Sequence, residues 1–380
     1  MDFEPNQEQR ALAERAFELG SALNGGLAER VRAGRFDRDM WRRCGEFGLL
    51  GLSVPTADGG LGLDSLSTSL VIEAFAKGCQ DMGLLFSACA HLFACAMPIA
   101  EHGGPELRTR LLPRLISGEW IAANAITEPE AGSDVHALRT TAIRDGADYV
   151  LNGVKSFVTN GPIADHILVY ASTNPADGHL GLSAFVVDRH SPGLTAGPSF
   201  AKPGLTTSPL SPIYLDDCRV PAANRLGAEG AGSTIFSSSM AWERTCLFAA
   251  YLGSMDRQLT QTIAHVRTRR QFRKPLSRHQ AVAHRIADMK LRLEGARLLL
   301  YRACARRDRG VDSTLEVSLA KLAVSEAAIQ NALDAIQLHG ATGFLSEGGV
   351  VEALGDALPS TIFSGTSEIH RDLIARGLGL

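Results

Sequence analysis

The sequence predicts a mostly helical α+β protein in three parts: an N-terminal helical domain, a middle antiparallel β-barrel or sandwich domain, and a C-terminal four-helix bundle. Apolar residues recur at helical spacing up to about residue 117 and again after Gly227. Between these regions, short runs rich in Val, Ile, Thr and Tyr alternate with turn residues. Because strands and helices do not alternate along the chain, a doubly wound α/β sheet is excluded. We place the domains at residues 1–118, 119–228 and 229–380.

Each part has readable elements. In the N-terminal part, helical spacing covers residues 7–32, 36–50, 66–77, 82–102 and 105–117. In the middle part, strand-like runs occupy residues 120–126, 140–144, 149–151, 167–172, 182–188 and 213–216, separated by Asp-Gly and Asn-Gly turns. The C-terminal helices are expected at residues 233–269, 277–308, 313–337 and from 367 onward.

The composition is that of an ordinary globular protein, with 45% apolar residues, 21% charged residues and a net charge of −3. This balance lacks a basic arm, so we expect no nucleic-acid partner. The longest apolar stretch, residues 84–100, is interrupted by His91 and Pro98, and we judge it too short and too polar to span a membrane. The seven dispersed cysteines form no CxxC pair, so we expect reduced thiols in the cytoplasm and no metal site. The acidic N-terminus has no apolar signal core.

Glu243 lies in the middle of an apolar helical stretch, residues 235–252. A carboxylate in such surroundings is costly unless it is paired, hydrogen-bonded or protonated. Burial raises its pKa, which suits a proton acceptor working near neutral pH. A structural alternative is that Glu243 pairs with Arg244 or with a neighbouring helix.

Five polar stretches stand out, at residues 126–134, 155–161, 267–272, 337–343 and 364–369. The first offers hydroxyl and backbone donors suited to a heterocycle edge and a phosphate. In the second, Phe157 and Thr159 share one side of a strand. The other three are typical of helix ends, and the last is typical of an anion-binding helix N-terminus. Taken singly, each also fits a simple loop, strand or helix cap.

Together, in this order and over nearly the whole chain, these stretches resemble the acyl-CoA dehydrogenase flavoproteins. The Thr-Glu-Pro-x-x-Gly-Ser-Asp sequence from Thr127 and the Gly-Thr-Ser-Glu-Ile sequence from Gly365 carry most of the resemblance. The resemblance implies FAD as the cofactor and a homo-oligomer, a dimer or a tetramer, in which subunits share the site. It implies the following cofactor-binding residues: Ile126, Thr127, Ser133, Phe157, Thr159, Arg269, Phe272, Gln280, Gln337, Gly340, Thr366 and Glu368. Ser133 and Arg244 are further expected to contact the substrate.

The sequence departs from the family pattern at Ser364. Most members carry the catalytic base immediately before the Gly-Thr-Ser motif, whereas a serine without a partnered base cannot deprotonate a carbon acid. Either the protein is not a dehydrogenase or its base lies elsewhere. Isovaleryl-CoA dehydrogenases are similar to this chain in carrying the base on the preceding long helix, directly before an arginine. Glu243-Arg244 matches that arrangement, so we predict Glu243 as the catalytic residue.

A finer resemblance, in residues 90–98, 240–244 and Ser364, is to the branch that oxidises aminoacyl groups on carrier proteins, converting prolyl to pyrrolyl thioesters in natural-product (antibiotic) pathways. An acidic carrier would need a basic docking patch, for which the candidates are Arg108, Arg110, Arg114, Arg306, Arg307 and Arg309. The expected partners are an acyl thioester on a carrier protein or CoA and an electron acceptor, oxygen or an electron-transfer flavoprotein.

Three alternatives stay open at this point. The protein could be a short- or branched-chain acyl-CoA dehydrogenase of the isovaleryl type, which an isovaleryl-CoA assay would detect. It could be a flavin-bound relative that binds nucleic acid, against which the net charge of −3 argues. It could also be an inactive flavoprotein scaffold, as the serine at 364 would suggest.

Overall fold

The computed structural model describes residues 4–346 and 349–380, apart from the side chain of residue 136. Helices come first, strands follow in the middle of the chain, and helices return to the C-terminus, as the sequence predicted. The predicted fold class, mostly helical α+β, is therefore confirmed.

From residue 4 onward, seven helices form the N-terminal part: α1 Gln7–Ala22, α2 Leu27–Ala33, α3 Arg38–Phe47, α4 Ser65–Gly78, α5 Met82–His91, α6 Met97–His102 and α7 Pro105–Ile116. The prediction of one helical stretch over residues 7–32 was wrong, because the chain breaks between α1 and α2. Gly25 and Gly26 lie in this break, and Gly26 has a φ of 66°, a left-handed conformation that glycine adopts without strain.

Residues Met82–His102 form one helical stretch of 21 residues with a hydropathy of 1.8, and 89% of its most apolar window is buried inside the protein. By length and composition it could cross a membrane, so the expectation that it is too short and too polar was wrong. A π turn at Leu92–Ala96 carries the helix past His91 and Pro98 without a break. Its burial is that of the core helix of a globular protein.

In the described residues, eight strands follow these helices: β1 Ala122–Ala125, β2 Thr141–Asp145, β3 Asp148–Thr159, β4 His166–Ser172, β5 Leu182–Asp188, β6 Leu194–Ala196, β7 Leu210–Pro221 and β8 Arg225–Leu226. Two short strands, β9 Arg270–Gln271 and β10 Lys274–Pro275, lie later, among the C-terminal helices. The first eight form one sheet in the order β6-β7-β3-β2-β4-β5-β8, with β1 paired to β4. Most pairs are antiparallel, but β1 runs parallel to β4, so the prediction of a purely antiparallel domain was incomplete.

The sheet has two buried faces, and β4 shows this most clearly. Ile167 and Val169 belong to the core of the β domain, whereas Leu168 and Tyr170 belong to the core shared with the helices. Successive residues of a strand point to opposite faces, so β4 is buried on both sides. This strand fixes the β domain against the helical parts of the protein.

The C-terminal part contains α8 Gly232–Trp242, α9 Ala249–Thr268, α10 Gln280–Arg307, α11 Thr314–His339, α12 Glu352–Ala357 and α13 Ser367–Gly377. Helices α9, α10, α11 and α13 pack together. The short β9–β10 hairpin connects α9 to α10.

A second π turn, Glu243–Leu247, joins α8 to α9. It packs against the first one, and the end of α8 just before it does the same. There the Ser239 hydroxyl donates to the Phe93 carbonyl at 3.3 Å, and the rings of Phe93 and Trp242 stack with their centroids 6.3 Å apart. A π turn leaves helix hydrogen bonds misaligned and is found often at functional sites. Glu243 is the first residue of this turn.

Candidate active site

Glu243 is buried, with 9% of its surface exposed, between α8 and α9. Burial raises the pKa of this carboxyl above its usual value, although a hydrogen bond from Ser364 and the charges of Arg244 and Lys321 act in the opposite direction. A carboxylate with a raised pKa is a competent proton acceptor near neutral pH. The structural alternative names Arg244 or a neighbouring helix as the partner of Glu243, and of these Arg244 donates its Nε–H to the Ser364 carbonyl and not to the carboxylate.

Ser364 lies directly against Glu243: its hydroxyl donates a hydrogen bond to Oε1 of the carboxylate. The two residues are 121 positions apart in sequence and meet because the turn before α13 folds over the π turn. Ser364 has a φ of 54°, an unusual value for a residue other than glycine. Ser364 occupies the position at which most family members carry the base, and its hydroxyl is hydrogen-bonded to Glu243, the predicted base of this chain.

Three cationic or ionisable side chains hold the turn that carries Ser364. Arg244 Nε donates to the Ser364 carbonyl at 2.7 Å, Lys321 Nζ donates to the Gly365 carbonyl at 2.7 Å, and His370 Nε2 lies 3.2 Å from the Ser364 carbonyl. Burial and the nearby Arg244 lower the pKa of Lys321 to about 8 and that of His370 to about 4. The predicted contact of Arg244 with substrate stays a prediction; here its guanidinium positions backbone.

The loop with Thr127 and the strand with Phe157 are joined in two ways. The backbone N–H of Ser156 donates to the Thr127 carbonyl at 2.7 Å. The buried Lys155 ammonium lies 2.7 Å from Glu128 Oε1 and also donates to the Ile126 carbonyl at 3.1 Å. The first and second predicted-site segments, residues 126–134 and 155–161, are therefore tied together.

The electrostatics of the Lys155–Glu128 pair favour its charged form at neutral pH. Burial lowers the pKa of Lys155 to about 8, and Glu128 partly offsets this effect. For Glu128, burial alone would raise the pKa, but the Lys155 ammonium and the backbone N–H of Arg139 bring it below its usual value. Sequence reasoning missed this pair; the only local signal was two opposite charges inside the motifs.

Phe157 presents its ring to the outside of the sheet. A register shift between Lys155 and Val158 gives Phe157 a φ of 54° and leaves 62% of its side chain exposed. Ser133 is exposed on the facing loop, and at Gly132 an added Cβ would have nothing within 4 Å. An exposed aromatic face with hydroxyl and backbone donors nearby fits the ring system of a flavin.

Thr366 and Glu368 line a pocket of about 330 Å³ at the start of α13. The other lining residues are Glu326, Thr361, Ile362, Ser367 and Arg371. The Thr366 side chain caps α13 by accepting from the Ile369 N–H at 3.3 Å. The expectation of an anion-binding helix N-terminus and that of a simple cap are thus both compatible with this geometry.

The remaining predicted cofactor residues lie together at one end of the C-terminal helices. The imidazoles of His265 in α9 and His339 in α11 stack with centroids 4.2 Å apart, which brings the segment of Arg269 beside that of Gln337 and Gly340. Phe272, at the tip of the hairpin, exposes 88% of its side chain, and Gln280 begins α10.

Several arginines proposed for carrier docking are engaged within the chain. Arg108 pairs with Asp58, and Arg306 lies 3.1 Å from Glu316. Arg307 lies over the Trp242 ring at 3.4 Å and donates to Ser65 Oγ at 2.7 Å. The Arg307–Trp242 contact is a second feature that the sequence did not reveal, and it supports the helix beside Glu243.

All seven cysteine thiols are free and buried. Within residues 4–346 and 349–380, no group of three or more His, Cys, Asp or Glu side chains is arranged to hold a metal ion.

A three-part α–β–α chain with a buried carboxylate on an interior helix defines a class of enzymes suited to abstracting a proton from a carbon acid. The chain belongs to the acyl-CoA dehydrogenase family. Models of the family's N-terminal, middle and C-terminal domains match residues 6–119, 123–218 and 230–379.

Two relatives and one solved structure show which members of the family this chain resembles in detail. An L-prolyl-[peptidyl-carrier protein] dehydrogenase of Pseudomonas fluorescens is 53% identical over 91% of this chain and 91% of its own. The protein of the same name from a Serratia species is 42% identical over 100% of this chain and 99% of its own. The structure described as PigA with FAD and proline superposes with a TM-score of 0.98, at 42% identity and with full coverage of both chains.

Proposed function

We propose that this protein is an FAD-dependent dehydrogenase or oxidase that forms α,β-double bonds in an acyl thioester, with Glu243 as the base. The observation that carries this proposal is the buried Glu243 carboxylate, held by Ser364 at the start of a π turn in the helical core. Family membership supplies the reaction class, and the raised pKa of Glu243 suits proton abstraction near neutral pH.

The substrate that we propose is a prolyl group, or a similar aminoacyl group, on a peptidyl carrier protein. This rests on the names of the two relatives and on proline in the PigA structure. Converting prolyl to pyrrolyl removes four hydrogens, so it needs two two-electron oxidations. Pyrrolyl thioesters serve natural-product pathways, and we place this enzyme in antibiotic biosynthesis in the cytoplasm.

The residues act as follows in the proposed reaction. Bound FAD would supply the acceptor for the hydride that leaves the β-carbon. Glu243 takes the α-proton on the opposite side of the substrate, while a main-chain donor holds the thioester carbonyl. The π turn places the carboxylate in the helical core beside Ser364, and burial excludes water that would compete for it.

We propose that the cofactor is held by the residues named from the sequence. The Lys155–Glu128 pair supports the loop of Ile126, Thr127 and Ser133 beside Phe157 and Thr159. Thr366 and Glu368 line the pocket at α13. These placements are consistent with contacts to the flavin ring, the pyrophosphate and the adenosine half.

We further propose a homo-oligomer, a dimer or tetramer, in which Arg269, Phe272, Gln280, Gln337 and Gly340 reach a neighbour's cofactor. Phe272 is 88% exposed, and Leu291 and Leu298 are 72% and 52% exposed on one face of α10. Large apolar side chains exposed together are typical of interaction surfaces. Reoxidation is by oxygen or by an electron-transfer flavoprotein.

The decisive experiment compares the wild-type protein with Glu243→Gln, both loaded with FAD, on a prolyl-loaded carrier protein and on isovaleryl-CoA. We expect wild type to act on the prolyl carrier, and Glu243→Gln to lose activity by at least about a hundredfold while keeping the flavin spectrum. Activity retained by the variant would refute Glu243 as the base. Preference for isovaleryl-CoA would move the assignment to the branched-chain acyl-CoA enzymes.

A further inference from the structure

The turn before α13 places a hydroxyl, rather than a carboxylate, against the proposed base. Ser364 Oγ donates to Glu243 Oε1, and this is the hydrogen bond that the side chain of Glu243 receives in the described part of the chain. A neutral donor stabilises the ionised form of a buried carboxylate without adding a second titrating group.

The backbone conformation of Ser364 is maintained against its own preference. Its φ of 54° is left-handed, where residues with a Cβ are strained. Three donors fix the turn from outside: Arg244 and His370 at the Ser364 carbonyl, and Lys321 at the Gly365 carbonyl. A conformation that costs energy, and that is held by groups from three helical segments, indicates that the direction of the side chain matters.

We infer that Ser364 is a positioning residue, whose hydroxyl orients the Glu243 carboxylate toward the substrate and keeps it ionised at working pH. This inference rests on the proposed role of Glu243 as base and extends it to a residue that does not touch substrate. It also explains how a serine can occupy this turn in an active enzyme: the residue no longer removes the proton, but it controls the group that does.

Several titratable and charged groups around Glu243 come from the elements packed near it. They are Arg244 on its own helix, Lys321 from α11, His370 from α13, Cys89 from α5, Cys95 from the first π turn and Tyr170 from β4. Burial raises the pKa values of both thiols and of the phenol, lowers that of Lys321 to about 8 and lowers that of His370 to about 4. Between about pH 5 and pH 7 Lys321 therefore stays charged, His370 stays neutral, and neither the two thiols nor the phenol ionises.

The test uses two substitutions that remove the same hydroxyl but differ in their effect on the backbone. Ser364→Ala keeps a Cβ at positive φ, whereas Ser364→Gly relieves that strain. The matched control is Ser360→Ala, because the Ser360 hydroxyl is buried in the same segment and has no hydrogen-bond partner in the described part of the chain.

The measurement is an infrared titration of the FAD-loaded protein labelled with ¹³C-carboxyl glutamate, with Glu243→Gln subtracted to isolate one carboxyl band. We expect the pKa of Glu243 to rise by about one unit in both Ser364 variants and to stay unchanged in Ser360→Ala. The acid limb of kcat/KM should move upward by the same amount, with KM for the thioester changed by less than about twofold.

An unchanged pKa in both Ser364 variants would overturn the inference and leave Ser364 a purely structural residue. A pKa shift in only one of the two variants would also overturn the inference. Both variants lack the hydroxyl, so a difference between them would come from the backbone. The infrared titration needs no turnover. If Glu243→Gln stayed active, the proposed function would fail independently of this result.

Discussion

The ammonium of Lys155 lies 2.7 Å from the carboxylate of Glu128, with the lysine fully buried and the glutamate 6% exposed. This pair joins β3, at the point where its register shifts, to the loop that follows β1. The glutamate also accepts the backbone N–H groups of Arg139 and Thr140, at 2.6 and 3.0 Å. The Lys155–Glu128 pair therefore holds together β3 and the loop after β1, the two segments that form the surface we propose for the flavin ring.

Removing one partner of this buried pair should loosen that surface. In Lys155→Met the Glu128 carboxylate loses its cation, and we expect a loss of about 3–5 kcal/mol in the free energy of unfolding. We also expect the affinity for FAD to fall by at least about tenfold. Denaturant unfolding and a flavin-fluorescence titration measure the two effects.

The double variant Lys155→Met/Glu128→Gln should recover part of that stability, because no buried charge is left unpaired. The exposed pair Arg219–Asp145, at 2.7 Å, offers the control, and Arg219→Met should cost less than about 1 kcal/mol. Equal losses in the buried and exposed pairs would show that Lys155 does not brace the loop.

The activity of the enzyme should depend on pH through Glu243. The base must be ionised to accept a proton, and burial raises its pKa above the usual value of 4.5. Activity should therefore be full at higher pH and fall as the pH drops through this raised pKa. A pH profile of kcat/KM with an artificial electron acceptor measures it, and an acid limb at or below pH 4.5 would contradict the assignment.

His91 should make the protein less stable in acid. Its Nδ1 accepts from the Ala122 N–H at 2.9 Å and its Nε2 lies 3.1 Å from the Leu115 carbonyl, so the folded state holds a neutral ring. Burial lowers its pKa to about 4 from 6.5, and the unfolded chain thus binds more protons between those values. The contribution of the neutral His91 ring to the free energy of unfolding is therefore fully present above pH 6.5 and is lost as the pH falls toward 4.

The size of this effect is about 2 kcal/mol between pH 7 and pH 5. His91→Gln keeps one donor and one acceptor but cannot titrate. Between pH 7 and pH 5, the free energy of unfolding of this variant should therefore fall by about 2 kcal/mol less than that of the wild type. Urea unfolding at the two pH values gives the comparison. Parallel pH dependence in wild type and variant would show that His91 is not the responsible group.

Phe272 should bind the cofactor of another subunit. Covering a phenylalanine is worth about 1.5–3 kcal/mol, so Phe272→Ala should weaken FAD binding by roughly 10- to 100-fold. Ile143→Ala, which truncates a side chain 65% exposed on β2, is the control and should leave the affinity unchanged. Light scattering reports the oligomeric state, and equal affinities in the two variants would argue against a shared site.

Much of the fold was visible in the sequence, because helical spacing and strand composition are local signals. The three-part order follows from them, whereas the prediction of Glu243 as the base came from the family resemblance. The break at Gly26 and the continuity of the helix through Pro98 were read wrongly, since each depends on backbone adjustments that periodicity does not record.

The contacts that complete the site join residues that are distant in sequence, so local patterns do not predict them. Ser364 and Glu243 are 121 residues apart, and Lys155 and Glu128 are 27 apart. Nothing in either local sequence specifies its partner, because tertiary packing brings them together. The resemblance to a family located the segments, and only the three-dimensional structure showed how they hold one another.

The π turn at Glu243 has a consequence for how this enzyme tolerates change. One residue advances an α-helix by about 100°, so the extra residue between Glu243 and Leu247 sets α8 and α9 out of phase by about that angle. Deleting any single residue there would lengthen no loop and break no helix. It would instead close the wide turn into an ordinary α-turn, so that α8 and α9 keep their directions while the residues of the turn itself, the proton acceptor among them, face elsewhere.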